Sequence, residues 1–541
     1  MNLFSSPLTV AEAIASRIQD AGISTIFGIP GTHVIELYRG FDRFGMRTVT
    51  PRHEQAVGFA AAAWGQASGL PGIAVTTSGP GLLNVLAAAA TARCESRSLI
   101  VLSPGVPRST PDKRIGVLHE TKDSIGAAGS VVEWSRRAQS ADHALELVEQ
   151  ALQGQQYRRS PVHIEIPIDV LGEETTFAPV RRSGMDTNVH ADVLQQDLLL
   201  QEVAEILENA KKPRILAGGG AAHASAELRA IVEILASPVA TTINGKGVFD
   251  ERHALALGAE LRTRALHEDL ETADVLLVVG SKLAQAEFWS GPFRPTGRLI
   301  RIDIDPEQAE INIDHDKSVV VVGDSCQVLQ SLIEKITPQA RSEGCEINQL
   351  RSRIREEAKS LGGQTLELAR RIADWVPDEA VVSMDSSQIC YLGMNTALVS
   401  QQPNRTLQAA AYSPLGMALP AAIGAAIAGG SHQKTWCVTG DGALMFSMQE
   451  LLTAAEESLD ITVVVVDNGG YREIAENMVD AAIRPQGVDL LQPDWKAFAE
   501  ALGAAAITIA ADAPDSEFAQ AGHFANEPGL RLVHIWQQRR A

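Results

Sequence analysis

The sequence predicts an α/β protein made of three doubly wound, parallel-sheet domains, and three observations carry that expectation. Short β-branched runs alternate with Ala- and Leu-rich stretches from one end to the other, the pattern of parallel strands covered by helices on both faces. Most of these runs end in Gly, Ser, Asp or Asn and pass through a turn into a helical stretch. At 541 residues the chain also exceeds what one hydrophobic core holds, and its 45% hydrophobic residues are enough to fill several.

Taken in order, the first block contains "TIFGIPGTH", "RTVTPRHEQAVGFAAAAWG" and "GIAVTTSGPGLLNVLAAAA", each a strand running through a turn into a helix. The middle block has "RILAGGGAAHASAELRAIVEIL", "DVLLVVGSKL" and "RLIRIDIDP", and the third has "AVVSMDSSQ", "TWCVTGDGALMFSMQEL" and "ITVVVVDNGGY". Two polar segments without period, near 173–192 and 337–350, divide them. The expected domains are therefore 1–175, 193–337 and 355–541. No tandem repeat interrupts the pattern.

Composition excludes some functions. With 46 Lys+Arg against 66 Asp+Glu, the net charge of −20 leaves no basic face for nucleic acid or anionic lipid. An anionic ligand would need a metal ion or oriented backbone amides. The five cysteines are scattered without Cys-x-x-Cys pairs, which points to a reducing compartment. The first residues lack the pattern of a signal peptide, and no apolar run approaches the roughly 20 residues of a membrane span. A cytoplasmic protein without membrane or nucleic-acid partners is expected.

Residues 440–470 concentrate the chemistry. "TWCVT" and "ITVVVV" read as buried strands, and "SMQELLTAAEES" between them reads as a helix with a capping box from Ser447 to Glu450. Such a βαβ unit places Gly440-Asp441-Gly442 and Asp467-Asn468 together at the carboxyl edge of one sheet, where open α/β sheets bind ligands. Asp441 offers a carboxylate and Asn468 an amide oxygen. Hard oxygen ligands suit Mg2+, and turn amides entering the Ser447 helix could hold phosphate oxygens. Gly-Asp-Gly or Asp-Asn-Gly-Gly alone would be an ordinary turn; the pair at opposite ends of one unit is far more specific.

Gly440-Asp441-Gly442, then 25 residues (443 to 467), then Asn468 resembles the thiamin-diphosphate motif of the family that includes acetohydroxyacid synthase, benzoylformate decarboxylase and pyruvate decarboxylase. The resemblance covers essentially the whole chain and implies pyrimidine-binding, central Rossmann-like and diphosphate-binding domains. It implies thiamin diphosphate held through Mg2+ by Asp441, the Asn468 side chain and the Gly470 carbonyl, with Gly440, Gly442, Ala443, Tyr471, Ser387 and Gln388 beside the cofactor. Asp467 stands where family members usually carry a first asparagine. "RHEQAVGFAA" resembles the first-domain motif whose glutamate acts on the aminopyrimidine ring; here that is Glu54, at the start of an apolar helix that favours its protonated form. "TTSGPGLLN" resembles the loop facing the cofactor and implies contacts from Ser78, Gly79, Pro80 and Asn84. In "AYSPLGMALPAAIG" the likeness puts Leu415 where a bulky residue bends the cofactor and gives the Ser413 carbonyl a bond from its amino group. Because Glu54 and the metal motif lie in different blocks, the resemblance implies active sites shared across a homodimer or dimer of dimers.

The implied substrate is a small 2-oxo acid. His33 and His119 are candidates for proton transfer or carboxylate recognition. "GIPGTHVIELYRG", "GYREIAENM" and "GVDLLQPDW" are most similar to a subgroup that decarboxylates 5-guanidino-2-oxopentanoate, in which Glu473 would pair with the guanidinium and Arg472 would fill the pocket or neutralise Glu473. "AGGGAAHA" (217–224) lacks a full dinucleotide fingerprint, so FAD is not expected. The leading expectation is non-oxidative decarboxylation dependent on thiamin diphosphate and Mg2+. The alternatives are an acetolactate-synthase-type carboligase, a catalytically silent relative with a binding role and, more distantly, a dinucleotide-dependent oxidoreductase.

Overall fold

Runs such as Val275–Val279 and Ile461–Asp467 are apolar on both faces, and a strand of that kind is stable only with helices on either side. The computed structural model describes residues 7–110, 115–157, 159–175, 193–339, 344–430 and 433–537. The chain divides into two compact units, Met1–Ser183 with Tyr412–Ala541, and Gly184–Ala411. Three α/β domains with parallel sheets make it up, as the alternating pattern predicts.

In the first unit, strands Arg47–Val49, Thr25–Gly28, Gly72–Val75, Leu99–Gly105, Val162–Pro167 and Trp134–Arg137 lie side by side in that order, all parallel. The order reverses between Thr25–Gly28 and Gly72–Val75, so the loops leaving these two strands open onto one crevice. A second parallel ladder runs Thr435–Gly440, Ile461–Asp467, Arg531–Trp536, Ala505–Ala510. Its order repeats that of the last four strands of the first sheet.

Both ladders of this unit contribute to one apolar core. Helices Glu54–Ser68 and Ala418–Gly429 are rich in Ala and Gly, which lets their backbones approach closely. At the contact, a Cβ on Gly424 would lie 2.0 Å from the Ala60 carbonyl oxygen. Their sequences carry helix propensity but not this partnership, which equally spaced domains would not suggest.

The second unit holds Ala256–Gly258, Val239–Thr241, Pro213–Ala217, Val275–Val279, Arg298–Asp303 and Ser318–Val322 in that order, all parallel, together with the parallel pair Val381–Met384 and Thr406–Leu407. In its crevice the glycine loop meets its own fold: a Cβ on Gly218 would lie 2.2 Å from the Gly280 carbonyl.

Two local expectations need correction. The Ser447–Glu450 capping box does not form. The helix is Glu450–Glu456, preceded by a short helix Asp441–Leu444, and the Ser447 hydroxyl is buried without a partner among the described residues. Glu450 is fully buried and accepts instead from the Arg52 amide at 3.0 and 3.1 Å and the Thr453 hydroxyl at 2.6 Å. The segment near 337–350 is not aperiodic throughout, because Gly344–Ala373 is helical, broken at Gly363 where φ is +47°. That helix runs across the expected domain start at 355. Of the other expected break, residues 176–192 lie outside the described residues. None of the five cysteines is disulfide-bonded, and among the described residues no helix is long and apolar enough to cross a membrane.

Candidate active site

Gly440 pairs with Val466 across adjacent strands, so Asp441, the first residue of the short helix, and Asn468 follow neighbouring strands at one sheet edge. Asp441 is 1% exposed, and its carboxylate accepts from the backbone amides of Gly442 and Asn468. Gln492 Nε2 donates to Asp441 Oδ2 at 2.6 Å, and Trp495 Nε1 in turn donates to Gln492 Oε1 at 3.3 Å. Burial, reinforced by the charge of Asp467, pushes the Asp441 carboxyl up to about 6. Asn468 Oδ1 is buried with no hydrogen-bond partner among the described residues. Gly470 has φ +137°, and a Cβ there would lie 2.1 Å from the Val488 carbonyl, so only glycine fits. Its own carbonyl oxygen lies 3.6 Å from where a Cβ of Gly442 would be, and the Tyr471 ring also packs on Gly442.

Carboxylate, amide oxygen and backbone carbonyl are thus gathered, one carrying a charge that burial penalises and one lacking any donor. Those are the features a hard divalent cation would satisfy. Among the described residues no group of three or more His, Cys, Asp or Glu is placed to hold a metal. Asp467, the departure from the family's asparagine, accepts from the Gly469 amide at 2.9 Å and lies 3.2 Å from His534 Nε2, so a histidine on the adjacent strand faces the added charge.

At the first sheet, His53 Nδ1 accepts from the Gln55 amide at 3.1 Å and caps the helix that begins at Glu54. Asn84 Nδ2 donates to Glu54 Oε2 at 2.9 Å, and Glu54 Oε1 lies 3.2 Å from where a Cβ of Gly81 would be. The glycine loop therefore wraps the glutamate. Gly79 has φ +62° and precedes Pro80, the first residue of helix Pro80–Cys94. Ser78 Oγ lies 2.6 Å from His33 Nδ1 and 3.2 Å from His119 Nδ1. Burial, then the nearby charge of His119, lowers the proton affinity of His33.

The remaining candidates are more dispersed. Ser413 is exposed with φ +51°, Leu415 is half-buried, and Ala443 is buried in the short helix. Ser387 and Gln388 lie in the second unit, after strand Val381–Met384 and before a π-helical turn Ile389–Met394. Glu473 sits in the first turn of helix Arg472–Asp480. Arg472 pairs with Glu476 at 3.1 Å. A cavity of about 480 Å³ at the Asn468–Gly470 loop is lined by Gly470, Arg472, Glu476, Asp480 and Asp489 among others, and Glu473 is not in its wall.

Comparison with protein families matches the chain to the thiamine pyrophosphate enzyme N-terminal TPP binding domain over residues 8–126, the central domain over 200–332 and the C-terminal TPP binding domain over 390–535. A probable 2-ketoarginine decarboxylase of Pseudomonas aeruginosa is 35% identical over 508 residues, covering 92% of this chain and 89% of the relative. The chain belongs to the thiamine pyrophosphate enzyme family. The large subunit of acetolactate synthase isozyme 1 from Escherichia coli is 27% identical over 546 residues (97% and 93%). An acetolactate synthase large subunit of Parasynechococcus marenigrum is 30% identical over 533 residues (93% and 84%). Members of this family are enzymes, and the chemistry here is that of a carbon–carbon lyase or transferase.

Gln492, Trp495 and His534 are the partners of Asp441, Gln492 and Asp467 that sequence reasoning missed. Gln492 lies 51 residues from Asp441, and nothing in "LLQPDW" announces a partner at that distance. The unusual Asp467 was a usable signal for His534, because an extra half-buried acid calls for a donor.

Proposed function

We propose that this protein is a thiamin-diphosphate- and Mg2+-dependent decarboxylase of a 2-oxo acid with an extended guanidino chain, releasing CO2 and an aldehyde. The observation that carries the cofactor reading is the orphaned Asn468 oxygen beside buried Asp441 and the Gly470 carbonyl. These three would hold Mg2+, and the glycine turn at 440–442 would let diphosphate oxygens approach the backbone. When bound, thiamin diphosphate supplies the electron sink for cleaving the bond between carboxyl and carbonyl carbons.

The chain's own residues do the rest. Glu54, steadied by Asn84, holds a proton against the cofactor's aminopyrimidine ring, with Ser78, Gly79, Pro80, Ser413 and Leu415 shaping that pocket. His33 and His119 orient the substrate carboxylate and move a proton. Glu473 pairs with the guanidinium. The likeness to the 2-ketoarginine relative supports this substrate class. Ile35 and Leu83, 55% and 46% exposed beside His33 and Asn84, support a second copy covering the site in a homodimer or dimer of dimers.

A panel of 2-oxo acids assayed for CO2 release, with and without an acceptor aldehyde, tests the reading. Preference for neutral or acidic 2-oxo acids would remove the guanidino substrate. The acetolactate synthases among the relatives favour a second reading, carboligation, and the product from pyruvate separates the two: acetaldehyde or acetolactate.

A further inference from the structure

Three loops of the first sheet meet where its strand order reverses, and they bring one hydroxyl between two imidazoles. Ser78 Oγ is within hydrogen-bond distance of Nδ1 on both His33 and His119, at 2.6 and 3.2 Å. The ring centroids are 5.1 Å apart and the planes 64° from parallel. Ser78 is 4% exposed, so water does not compete freely for it. The geometry depends on Gly79: a Cβ there would lie 2.6 Å from the His119 carbonyl, and His119 itself has φ +63°. Among the described residues neither ring makes another hydrogen bond, leaving both Nε2 atoms for substrate.

A serine hydroxyl has one proton to donate. With Nδ1 as the contact atom on both sides, it donates to one ring and accepts from the other. The two neutral rings are then opposite tautomers, one presenting a bare Nε2 and the other an Nε2–H. The pair offers a base and an acid from two identical residue types.

We propose that His33, Ser78 and His119 form a single-proton relay, in which a proton taken up at one Nε2 passes through Ser78 and leaves from the other. The proposal rests on the reading that this site acts on a 2-oxo acid. A proton binds the bare Nε2, and that ring's Nδ1–H bond breaks as its proton moves to Ser78 Oγ. The former Oγ–H proton moves to Nδ1 of the second ring, whose Nε2–H bond then breaks. One proton enters and one leaves, no electron pair is lost, and the direction is reversed for the next passage. Of the nearby carboxylates, Glu54 takes Asn84 and Asp123 takes the Gly126 amide at 2.7 Å, while Glu120 takes the Gly116 amide at 2.7 Å through Oε2 and keeps Oε1 buried without a hydrogen-bond partner among the described residues. Burial and His119 both oppose a second proton on His33.

The test is a double-mutant cycle on kcat/KM with 5-guanidino-2-oxopentanoate: His33→Asn, His119→Asn and both together, in the wild-type and Ser78→Ala backgrounds. Thiamin diphosphate binding is followed by calorimetry in each variant. Each single histidine change should lower kcat/KM by about 100-fold, the order expected for one proton-transfer group. The double change should cost no more than either single, and in Ser78→Ala neither should add to the loss. The wild-type rate should depend on the deuterium fraction of the solvent with curvature, from several protons in flight, and Ser78→Ala linearly. Losses that multiply in the double variant, or a linear wild-type dependence, would overturn the relay. If no 2-oxo acid releases CO2, the functional reading itself falls. Nitrogen NMR of labelled histidines then still decides the geometry, with opposite tautomers at 33 and 119 supporting it and identical ones refuting it.

Discussion

Replacing Gln492 by Met keeps the volume of the side chain and removes the amide that holds Asp441. The bond to be lost is 2.6 Å long, from Nε2 to a carboxylate oxygen of a residue 1% exposed. A hydrogen bond to a charged, buried acceptor contributes about 1.5–3 kcal/mol. The same bond orients Asp441 toward Asn468 and the Gly470 carbonyl, so its loss should weaken Mg2+ binding by roughly 10- to 100-fold, the usual effect of removing a group that positions a metal ligand. Trp495→Phe leaves the amide in place but removes the 3.3 Å bond that fixes its orientation, and should produce a smaller loss. The assay is activation of the apo-enzyme by Mg2+ at saturating thiamin diphosphate, with the melting temperature measured alongside. If Gln492→Met binds Mg2+ within about twofold of wild type while melting lower, the bond stabilises the loop alone and the assignment of Asp441 as an oriented ligand is wrong, since a 10-fold loss is the least that the positioning role allows.

Three further outcomes are expected. Glu54→Gln should fold and bind cofactor while losing turnover by roughly 10²- to 10⁴-fold, read by CO2 release together with calorimetry. His163 lies between the Ser103 and Ser135 hydroxyls at 2.8 and 2.7 Å, and burial pushes its pKa down to about 3. An unfolded histidine titrates near about 6.5, so between those values the unfolded chain binds more protons; stability is intact above that range and falls by up to about 1.4 kcal/mol per pH unit on acidification, a slope that denaturant melts of His163→Gln should lack. Gly424→Ala forces a methyl against the Ala60 carbonyl and should destabilise by about 1–3 kcal/mol, whereas Gly154→Ala, with nothing within 4 Å, should gain about 0.5–1 kcal/mol in the same chemical denaturation.

What could be read from the sequence was whatever follows from position along a strand. Asp441 and Asn468 close the two strands of one βαβ unit, so parallel pairing alone brings them together. Glu54 begins the helix that follows strand Arg47–Val49, and its neighbourhood follows from the same geometry. The rest depends on partners that the chain does not place nearby. Glu450 matches a capping box by spacing, yet the Arg52 amide, 398 residues away, captures its carboxylate. His33, Ser78 and His119 sit on three separate loops, and their meeting requires the strand order, which periodicity does not reveal. The Ala-rich helices at 54–68 and 418–429 show only propensity, because a small side chain permits close packing without specifying what packs.

That last contact has a consequence for how the polypeptide is made. Helix Glu54–Ser68 leaves the ribosome roughly 350 residues before Ala418–Gly429 begins to emerge, an interval of about 20–70 s at ordinary elongation rates. For all of that time its sticky alanine face stands bare to water on a nascent chain that cannot yet close over it. Closure of this core therefore waits for the final quarter of translation, and messages cut short before codon 418 should yield a less soluble product than the full-length chain.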